Sequence, residues 1–430
     1  MLDTEVSSMG EIELSQRDKE LLAGAEGTAP QMAMRILLRM AKVQGAKQLI
    51  DVTRAHIDGC IYTGEASLQF AETLADAGGQ VHVPTSMNAI SIDRKGWRTQ
   101  GVDPAFAHLA DRLATAYERM GAKPTFTCSP YQLPEAPVFG EHIAWAESNA
   151  VVYANSVIGA RTNRYGDFMD ICAALTGRAP LAGFHLDKAR LGTVLIDMPE
   201  YEKIDSTFYP VVGYLVGSRV GSGVPVIRGI KEKPSADQLK AFGAAVATAG
   251  AVGMFHMIGI TPEASTVEEA FGGYPPLNHW KISRDEIADV WRTLSTASEQ
   301  KVDLILMGSP HFSFEECVEL AQLVEGKQCH PDVRFFITTS RYVYEKAKAA
   351  GVAKKIEAFG ATFLMDICLC MISTTVPHDC KTIMTNSGKF AHYGPGLVDR
   401  EIYFGGMNDC VQTAITSSPK ISIPDWLTLQ

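Results

Sequence analysis

The stretch that decides the fold is Gln48-Leu-Ile-Asp-Val-Thr-Arg-Ala-His-Ile-Asp-Gly-Cys60. The apolar residues at its start predict a strand, and the polar segment His56–Cys60 predicts a turn directly after that strand. A helix is predicted next, at about 67–75. A strand, a polar turn and a helix in this order form the repeating unit of α/β proteins.

The same order returns twice further along the chain. A strand predicted at 80–84 precedes the polar turn Thr85–Asn88, and a strand predicted at 124–127 precedes a turn at Cys128, with a helix at about 104–120 between them. In parallel sheets, ligands bind beyond the carboxyl ends of the strands. We therefore expect the three turns to converge on one site.

The last third of the chain shows this alternation again, after a less regular middle part. Strands are predicted at 301–307, 334–339 and 362–368; the turn Gly308-Ser-Pro-His311 follows the first strand, and Cys368 ends the third. The sequence thus predicts an α/β protein with several parallel-sheet lobes around one central cleft. The predicted lobes are 1–165 with the Cys128 motif, 166–290, and 291–430 with the turns at Ser309, Cys368 and Ser387.

The composition excludes several classes of protein. Of 430 residues, 46% are hydrophobic and 20% are charged, and the formal net charge of −10 argues against broad binding to nucleic acids. No apolar run reaches the roughly 18–20 residues of a membrane span. The N-terminal residues Met-Leu-Asp-Thr-Glu-Val carry neither a basic patch nor an apolar core, so we expect a cytoplasmic protein rather than a secreted one.

Cys128 and Cys368 are candidate metal ligands because each lies between a predicted strand and a turn. The odd count of nine scattered cysteines argues against a disulfide framework, and thiolates favour iron–sulfur clusters or zinc. Two buried cysteines that act as small apolar residues would fit the same pattern, since the chain has no Cys-x-x-Cys motif. Cys370, Cys60 and Cys380 are further possible ligands.

Several polar residues in apolar surroundings are candidates for catalysis or substrate binding, because buried polar groups are costly without partners. The histidines in polar segments are candidate acids, bases or hydrogen-bond donors: His56, His142, His311 and His378. Asp58 and Glu147 are candidate carboxylates for the same work. Arg161, beside Thr162, suits bidentate binding of a carboxylate, with an internal salt bridge as the alternative. The loop Ser387-Gly-Lys389 offers an anion-binding turn and a cation, with an ordinary loop as the alternative.

The longest polar motifs together resemble the large-subunit part of aconitase X. The resemblance covers nearly the whole chain. It rests on the segments His56–Gly59, Val83–Asn88, Thr127–Tyr131, Gly140–Ser148, Tyr153–Asn163, Gly308–His311 and Thr385–Lys389.

This resemblance implies an aconitase-like α/β fold, an iron–sulfur cluster and dehydratase activity. The candidate catalytic residues are His56, Asp58, Glu147 and His142. The candidate substrate-binding residues are Ser86, Asn88, Asn155, Ser156, Arg161, Thr162, Ser387 and Lys389.

Cys128 and Cys368 match two cysteine positions that are associated with the cluster in this family. The third position is Ser309, where many relatives have Gly-Cys-Pro-His and this chain has Gly-Ser-Pro-His. Serine is a harder and poorer ligand for iron than a thiolate. The cluster, [2Fe–2S] or [3Fe–4S]/[4Fe–4S], would therefore be smaller or altered, or it would take a third ligand from Cys370, Cys380 or Cys60, or it would no longer support turnover.

The family also contains a small swivelling domain, fused or separate, for which this chain has no room. We therefore expect a small partner subunit. The expected substrate is cis-3-hydroxy-L-proline, whose ring ammonium would pair with Asp58. Phosphomevalonate is the alternative. Its phosphate would need extra cations, which Arg54, Arg94, Lys95 and Lys389 could supply. A non-catalytic subunit that binds a small molecule is also consistent with Ser309, whereas no His-Glu-x-x-His motif supports a zinc hydrolase.

Overall fold

The computed structural model describes residues 12–368 and 376–428, and its three larger sheets are entirely parallel. They have the strand orders β12-β11-β10-β13-β14, β8-β7-β6-β9 and β3-β2-β4, and one small sheet pairs β1 with β5 in antiparallel fashion. The strands are β1 (Leu49–Asp51), β2 (Ala55–Ile57), β3 (Thr85–Met87), β4 (Ala144–Trp145), β5 (Arg178–Pro180), β6 (Val194–Asp197), β7 (Pro225–Arg228), β8 (His256–Met257), β9 (Asn278–Lys281), β10 (Leu304–Met307), β11 (Arg334–Thr339), β12 (Thr362–Met365), β13 (Thr382–Thr385) and β14 (Glu401–Phe404).

Helices connect the strands of these sheets, and the predicted α/β fold is confirmed. The helices are α1 (Gln16–Ala23), α2 (Thr28–Val43), α3 (Glu65–Asp76), α4 (Pro104–Arg119), α5 (Ser148–Tyr153), α6 (Met169–Thr176), α7 (Asp187–Arg190), α8 (Phe208–Val220), α9 (Ala236–Ala249), α10 (Val267–Ala270), α11 (Arg284–Thr293), α12 (Phe314–Leu323), α13 (Arg341–Ala349), α14 (Val352–Phe359), α15 (Gly388–Val398), α16 (Met407–Thr416) and α17 (Asp425–Thr428). None of the described helices is both long enough and apolar enough to span a bilayer.

The five-stranded sheet follows the sequence pattern in three of its strands, whereas β13 and β14 were not predicted. Three of its strands lie within or coincide with the predicted segments, although β12 ends at Met365, three residues before Cys368. The helix predicted after the Gly308–His311 turn is α12. Ser313 caps it and Glu316 completes a capping box, which is a local interaction that sequence can encode.

The three-stranded sheet differs from its prediction. The strands predicted at 80–84 and 124–127 are wrong, because β3 begins at Thr85, inside a predicted turn, and the third strand is β4. The strand predicted at the start of Gln48–Cys60 forms as β1, which pairs with β5 in a separate sheet, whereas β2 overlaps the turn that was predicted to begin at His56. The N–H groups of Val81 and His82 donate to the carbonyls of Met120 and Ala174, each at or near a helix end, and not to a neighbouring strand. The alternating apolar pattern at 80–84 therefore reflects burial against helices.

One apolar core joins the four- and five-stranded sheets through α8 and α9. It contains buried residues of both sheets, such as Ile196 and Leu306. The two helices approach so closely that a Cβ at Gly217 would lie 2.5 Å from the carbonyl oxygen of Val246. This close approach of the two helices explains the glycine at position 217.

Candidate active site

The predicted polar turns lie together around Cys128. The side-chain amide of Asn88 donates to Asp58, and the N–H of Thr127 donates to the carbonyl of Met87 over 3.1 Å. The N–H of Ile90 donates to the carbonyl of Asp366 over 2.7 Å, which brings the segment of Cys368 to the same place. The carboxyl ends of parallel strands therefore share one site, even though none of the three strands of this sheet lies where a strand was predicted.

Cys128 is buried and is held by two hydrogen bonds. Its sulfur accepts the N–H of His311 over 3.2 Å, and its carbonyl accepts the side-chain amide of Asn149 over 2.9 Å. Burial raises the pKa of the Cys128 thiol, and the nearby thiol of Cys368 and carboxylate of Glu147 raise it further. Negative charge at Cys128 is thus unfavourable without a cation, and a metal ion would supply one.

The residues around Cys128 fit an iron–sulfur group in part. Two soft thiol donors are close together, and two buried polar atoms beside them, Ser129 Oγ and His311 Nδ1, have no hydrogen-bond partner in the described part of the chain. Among residues 12–368 and 376–428, however, no three His, Cys, Asp or Glu side chains form a group that could hold a metal ion. The two thiols are therefore candidates for two ligands, and the described residues show no third one beside them.

The proposed sources of a third ligand differ in their surroundings. Ser309 borders the site, and its carbonyl accepts the hydroxyl of Ser387. The thiols of Cys60 and Cys380 donate to carbonyls in their own turns, those of Ile57 and Thr382. Cys370 lies outside the described residues.

A buried ion pair stands beside Cys128. Lys389, in the first turn of α15, lies 3.0 Å from the carboxylate of Glu147, which caps α5 and accepts the N–H of Ala150 over 2.8 Å. The amide of Asn149 also donates to Glu147. Two helix N-termini therefore meet at one carboxylate and one ammonium, where an added anion would be stabilised.

Asp58 lies in a group of carboxylates. Burial raises its pKa well above the ordinary value, the neighbouring carboxylates of Glu147, Asp167 and Asp170 raise it further, and Lys389 opposes them. The N–H of Asp58 donates to Asp170 over 2.6 Å. A bound cation would relieve this repulsion, so the position suits an ammonium group.

Asp170 is a site residue that the sequence analysis missed. Burial raises its pKa to about 7, although three backbone N–H groups bind it. Its signal in the sequence was a single carboxylate within the apolar run Met169-Asp-Ile-Cys-Ala-Ala-Leu of α6.

His56 is a buried, neutral imidazole in β2. Its Nδ1 lies 2.7 Å from the hydroxyl of Ser86, and its Nε2 has no hydrogen-bond partner within the described ranges. Burial lowers its pKa to about 3. The neutral ring can accept a proton, but the protonated form would be strongly disfavoured at this position.

A cavity of about 460 Å³ opens next to this cluster. Ser309, Ser387 and Lys389 line one side, and the stacked rings of Tyr131 and Tyr153 border it. The other side is acidic and consists of Asp237, Glu315, Glu316 and Glu319, together with the buried Lys240.

Lys240 and Glu316 form a second ion pair at the site, and the sequence pattern did not predict it. The ammonium of Lys240 pairs with Glu316 and, over 2.9 Å, with Asp237, and it donates to the carbonyl of His311 over 3.3 Å. Burial raises the pKa of Glu316 to about 7, although Lys240 opposes the shift.

Arg161 and His142 lie in a different cluster. Arg161 pairs with Asp187 and donates to the carbonyl of His185 over 3.1 Å. The Nδ1 atoms of His142 and His185 are 2.9 Å apart, so one ring donates and the other accepts, and Tyr165 binds the far nitrogen of His185. The structure therefore realises the salt-bridge alternative for Arg161.

Three further predicted substrate contacts are used inside the fold. Asn155 donates to the carbonyls of Thr162 and Gly253, over 2.8 and 3.0 Å. The hydroxyl of Thr162 accepts the N–H of Trp145 over 3.0 Å, and the hydroxyl of Ser156 accepts that of Phe255 over 2.8 Å. Their polar groups thus support the backbone of the motif.

Comparison with known families gives three matches along the chain. The model of the aconitase X first domain matches residues 11–188, that of the second domain matches 192–292, and that of the third domain matches 302–416.

Curated relatives and a solved structure agree with these matches. A cis-3-hydroxy-L-proline dehydratase of Pseudomonas aeruginosa is 51% identical over 413 residues, which are 96% of this chain and 71% of that protein. One of Hypocrea jecorina is 50% identical over 97% of this chain and 71% of that protein. The large subunit of phosphomevalonate dehydratase of Methanosarcina mazei is 34% identical over 93% of this chain and 96% of that protein. The holo-form structure of Thermococcus kodakaraensis aconitase X superposes with a TM-score of 0.84 at 32% identity, over 94% of this chain and 100% of that chain.

Proposed function

This chain belongs to the aconitase X family, and we propose that it is the large, catalytic part of an iron–sulfur dehydratase that acts on cis-3-hydroxy-L-proline. The observation that carries this proposal is the 50–51% identity to two dehydratases of that name. The matching phosphomevalonate dehydratase large subunits are 29–34% identical.

The proposed reaction is an elimination beside a carboxylate. The proton on the carbon next to the carboxylate and the hydroxyl on the adjacent ring carbon leave together as one water molecule. The product is an enamine, which tautomerises to the cyclic imine Δ1-pyrroline-2-carboxylate. Charge develops on the substrate carboxylate, so the enzyme must stabilise negative charge there.

Lys389 and the start of α15 are the proposed carboxylate site. Ser387 caps this helix, whose first turn contains no acidic residue, and Lys389 adds a positive charge at the same end. Arg161 is less suited to this role than its sequence motif indicates, because its guanidinium is occupied by Asp187 and a backbone carbonyl. Donors at a helix N-terminus favour anions for both geometric and electrostatic reasons.

Asp58 is the proposed partner of the ring ammonium. It stands among carboxylates whose mutual repulsion a substrate cation would relieve. Of the four candidate catalytic residues, Asp58, Glu147 and His56 stand in this cluster, and we assign proton transfer to these three. His142 is left with a structural role in its pair with His185.

Cys128 and Cys368 would hold the iron–sulfur cluster, with Ser309 as the nearby third candidate. When bound, an iron ion with an open coordination position supplies a Lewis acid for the departing hydroxyl. The cluster type, [2Fe–2S] or [3Fe–4S]/[4Fe–4S], is measured by iron and sulfide content.

A small swivel domain, supplied by a second subunit, is the proposed partner. Two facts support it: the phosphomevalonate relatives are named large subunits, and the hydroxyproline dehydratases extend beyond the part that this chain matches. Activity of the chain should rise when the unmatched segment of the Pseudomonas aeruginosa relative is supplied as a separate polypeptide. High turnover without any added polypeptide would contradict this expectation.

Phosphomevalonate is a less suitable substrate because two of the cations predicted to bind its phosphate are paired with carboxylates of the protein. Arg54 pairs with Glu141, and Arg94 pairs with Asp111 and Glu118. These arginines are therefore already neutralised.

The deciding experiment is a side-by-side assay of both compounds with anaerobically reconstituted protein and the added segment. We expect imine from cis-3-hydroxy-L-proline and little dehydration of phosphomevalonate. The reverse result would replace the substrate assignment. Tight binding of hydroxyproline without turnover would instead support a non-catalytic binding subunit.

A further inference from the structure

His311 connects the two segments that contain the candidate cysteine ligands. Its N–H donates to the sulfur of Cys128 over 3.2 Å. Its ring Nε2 donates to the carbonyl of Ile367, the residue directly before Cys368, over 2.8 Å. One residue therefore binds the thiol of one segment and the backbone of the other.

We infer that His311 is a positioning residue that sets the separation of the Cys128 and Cys368 thiols for the bound cluster. The inference rests on the cofactor in the proposed function, and it adds a residue to which neither catalysis nor ligation is assigned. Hydrogen bonds of this kind around a metal site orient the ligands, and their loss typically weakens metal binding 10- to 100-fold. An N–H donated to a cluster thiolate also changes the reduction potential.

His311 is held in place firmly enough to position other residues. The residue is 1% exposed, and its carbonyl accepts the ammonium of Lys240, which Asp237 and Glu316 hold in turn. His311 is therefore fixed through its N–H, its carbonyl and its ring. Through His311, the two cysteine segments are therefore fixed relative to Lys240 and α9.

His256 provides a matched comparison within the same chain. It is also buried, its Nε2 donates to the carbonyl of Arg190 over 2.8 Å, and its Nδ1 has no partner in the described residues, as is true of His311. An unpartnered Nδ1 by itself therefore does not mark a site. His311 differs from His256 because its N–H and its Nε2 bind the two cysteine segments.

The test compares His311→Gln, His311→Phe and the control His256→Phe in the full-length chain after anaerobic reconstitution. A Gln side-chain amide can replace the Nε2 donor, whereas Phe fills a similar volume without donating. The measurements are iron and sulfide per chain, iron retention against a chelator, the midpoint potential and the melting temperature. If His311→Phe does not fold, His311→Met is the second variant.

We expect His311→Phe to retain iron about tenfold less well than the wild type, or worse, and to shift the midpoint potential. His311→Gln should stay close to the wild type. His256→Phe should lower the melting temperature without changing iron retention.

Equal iron retention in His311→Phe and His256→Phe would overturn the inference. So would a His311→Gln variant that behaves like His311→Phe, since this would mean that the imidazole itself is required. A wild-type chain that takes up no iron would overturn both this inference and the cofactor. Dehydration measured separately on the same sample would then show whether the proposed substrate survives.

Discussion

Two polar clusters both contain residues that the sequence pattern made candidates, and they differ in how completely their groups are paired. In the Cys128 cluster, buried atoms such as Ser129 Oγ lack partners among the described residues, and Asp58 faces several other carboxylates. In the cluster of His142, His185 and Arg161, each of these side chains is paired within the fold. Residue types alone made both clusters candidates, whereas unsatisfied charge and hydrogen bonding distinguish the first one.

The largest effect should come from the two candidate thiol ligands. Cys128→Ala and Cys368→Ala should abolish the visible absorption of the reconstituted protein. Dehydration should fall by about 1000-fold or more, because a metal Lewis acid contributes several kcal/mol to catalysis. The control Cys172→Ala, in the buried face of α6, should keep its iron. Full iron and sulfide content in both ligand variants would show that the cluster lies elsewhere.

Asp58→Asn should reduce turnover of cis-3-hydroxy-L-proline about 100-fold, which corresponds to roughly 2.7 kcal/mol. The variant keeps the size of the side chain but removes the negative charge that would face the substrate ammonium. The effect should appear in kcat/KM with iron content unchanged. A variant with normal kcat/KM would leave Asp58 a structural role.

The two clusters should respond to pH in opposite directions. Burial lowers the pKa of His185 to about 3, so the unfolded state binds its proton more readily, and this part of the stability is lost as the pH falls below 6.5. Burial raises the pKa of Asp170 to about 7, so its contribution is present at low pH and is lost as the pH rises from about 4 to 7.

Denaturant titrations at pH 5 and pH 8 can measure this contrast. The measured quantity is the free energy of unfolding of the variant minus that of the wild type. For His185→Gln this difference should be about 2 kcal/mol higher at pH 5 than at pH 8. For Asp170→Asn it should be about 3 kcal/mol higher at pH 8 than at pH 5. If the difference in unfolding free energy between variant and wild type did not change with pH in either variant, the pKa shifts assigned to His185 and Asp170 would be contradicted.

The smallest effect is expected for Arg161→Lys. The sequence motif alone predicts damage to catalysis, because Lys cannot reproduce a bidentate contact to a substrate carboxylate. In the structure Arg161 pairs with Asp187, whose side chain is 86% exposed, and such pairs contribute about 0–1 kcal/mol. We therefore expect activity within about threefold of wild type. A loss of 100-fold would return Arg161 to the active site and remove the distinction between the clusters.

Much of the fold was predictable from local sequence. Three strands of the five-stranded sheet and the cap of α12 depend on side-chain periodicity and on contacts three residues apart, as with Ser313 and Glu316. The resemblance to aconitase X is likewise confirmed by matches to three domains of that family. The strand predicted at 80–84 failed because its apolar pattern packs against helices, which a local pattern cannot distinguish from a sheet.

What the sequence by itself determined was which residue types could do chemistry and where the chain would turn. The tertiary structure decided which of them meet. Lys240 and Glu316 are 76 residues apart, and Lys389 and Glu147 are 242 apart, yet both pairs form at the site. The physical reason is that burial and the nearest charges set whether a polar group is satisfied, strained or available, and both depend on packing between distant segments.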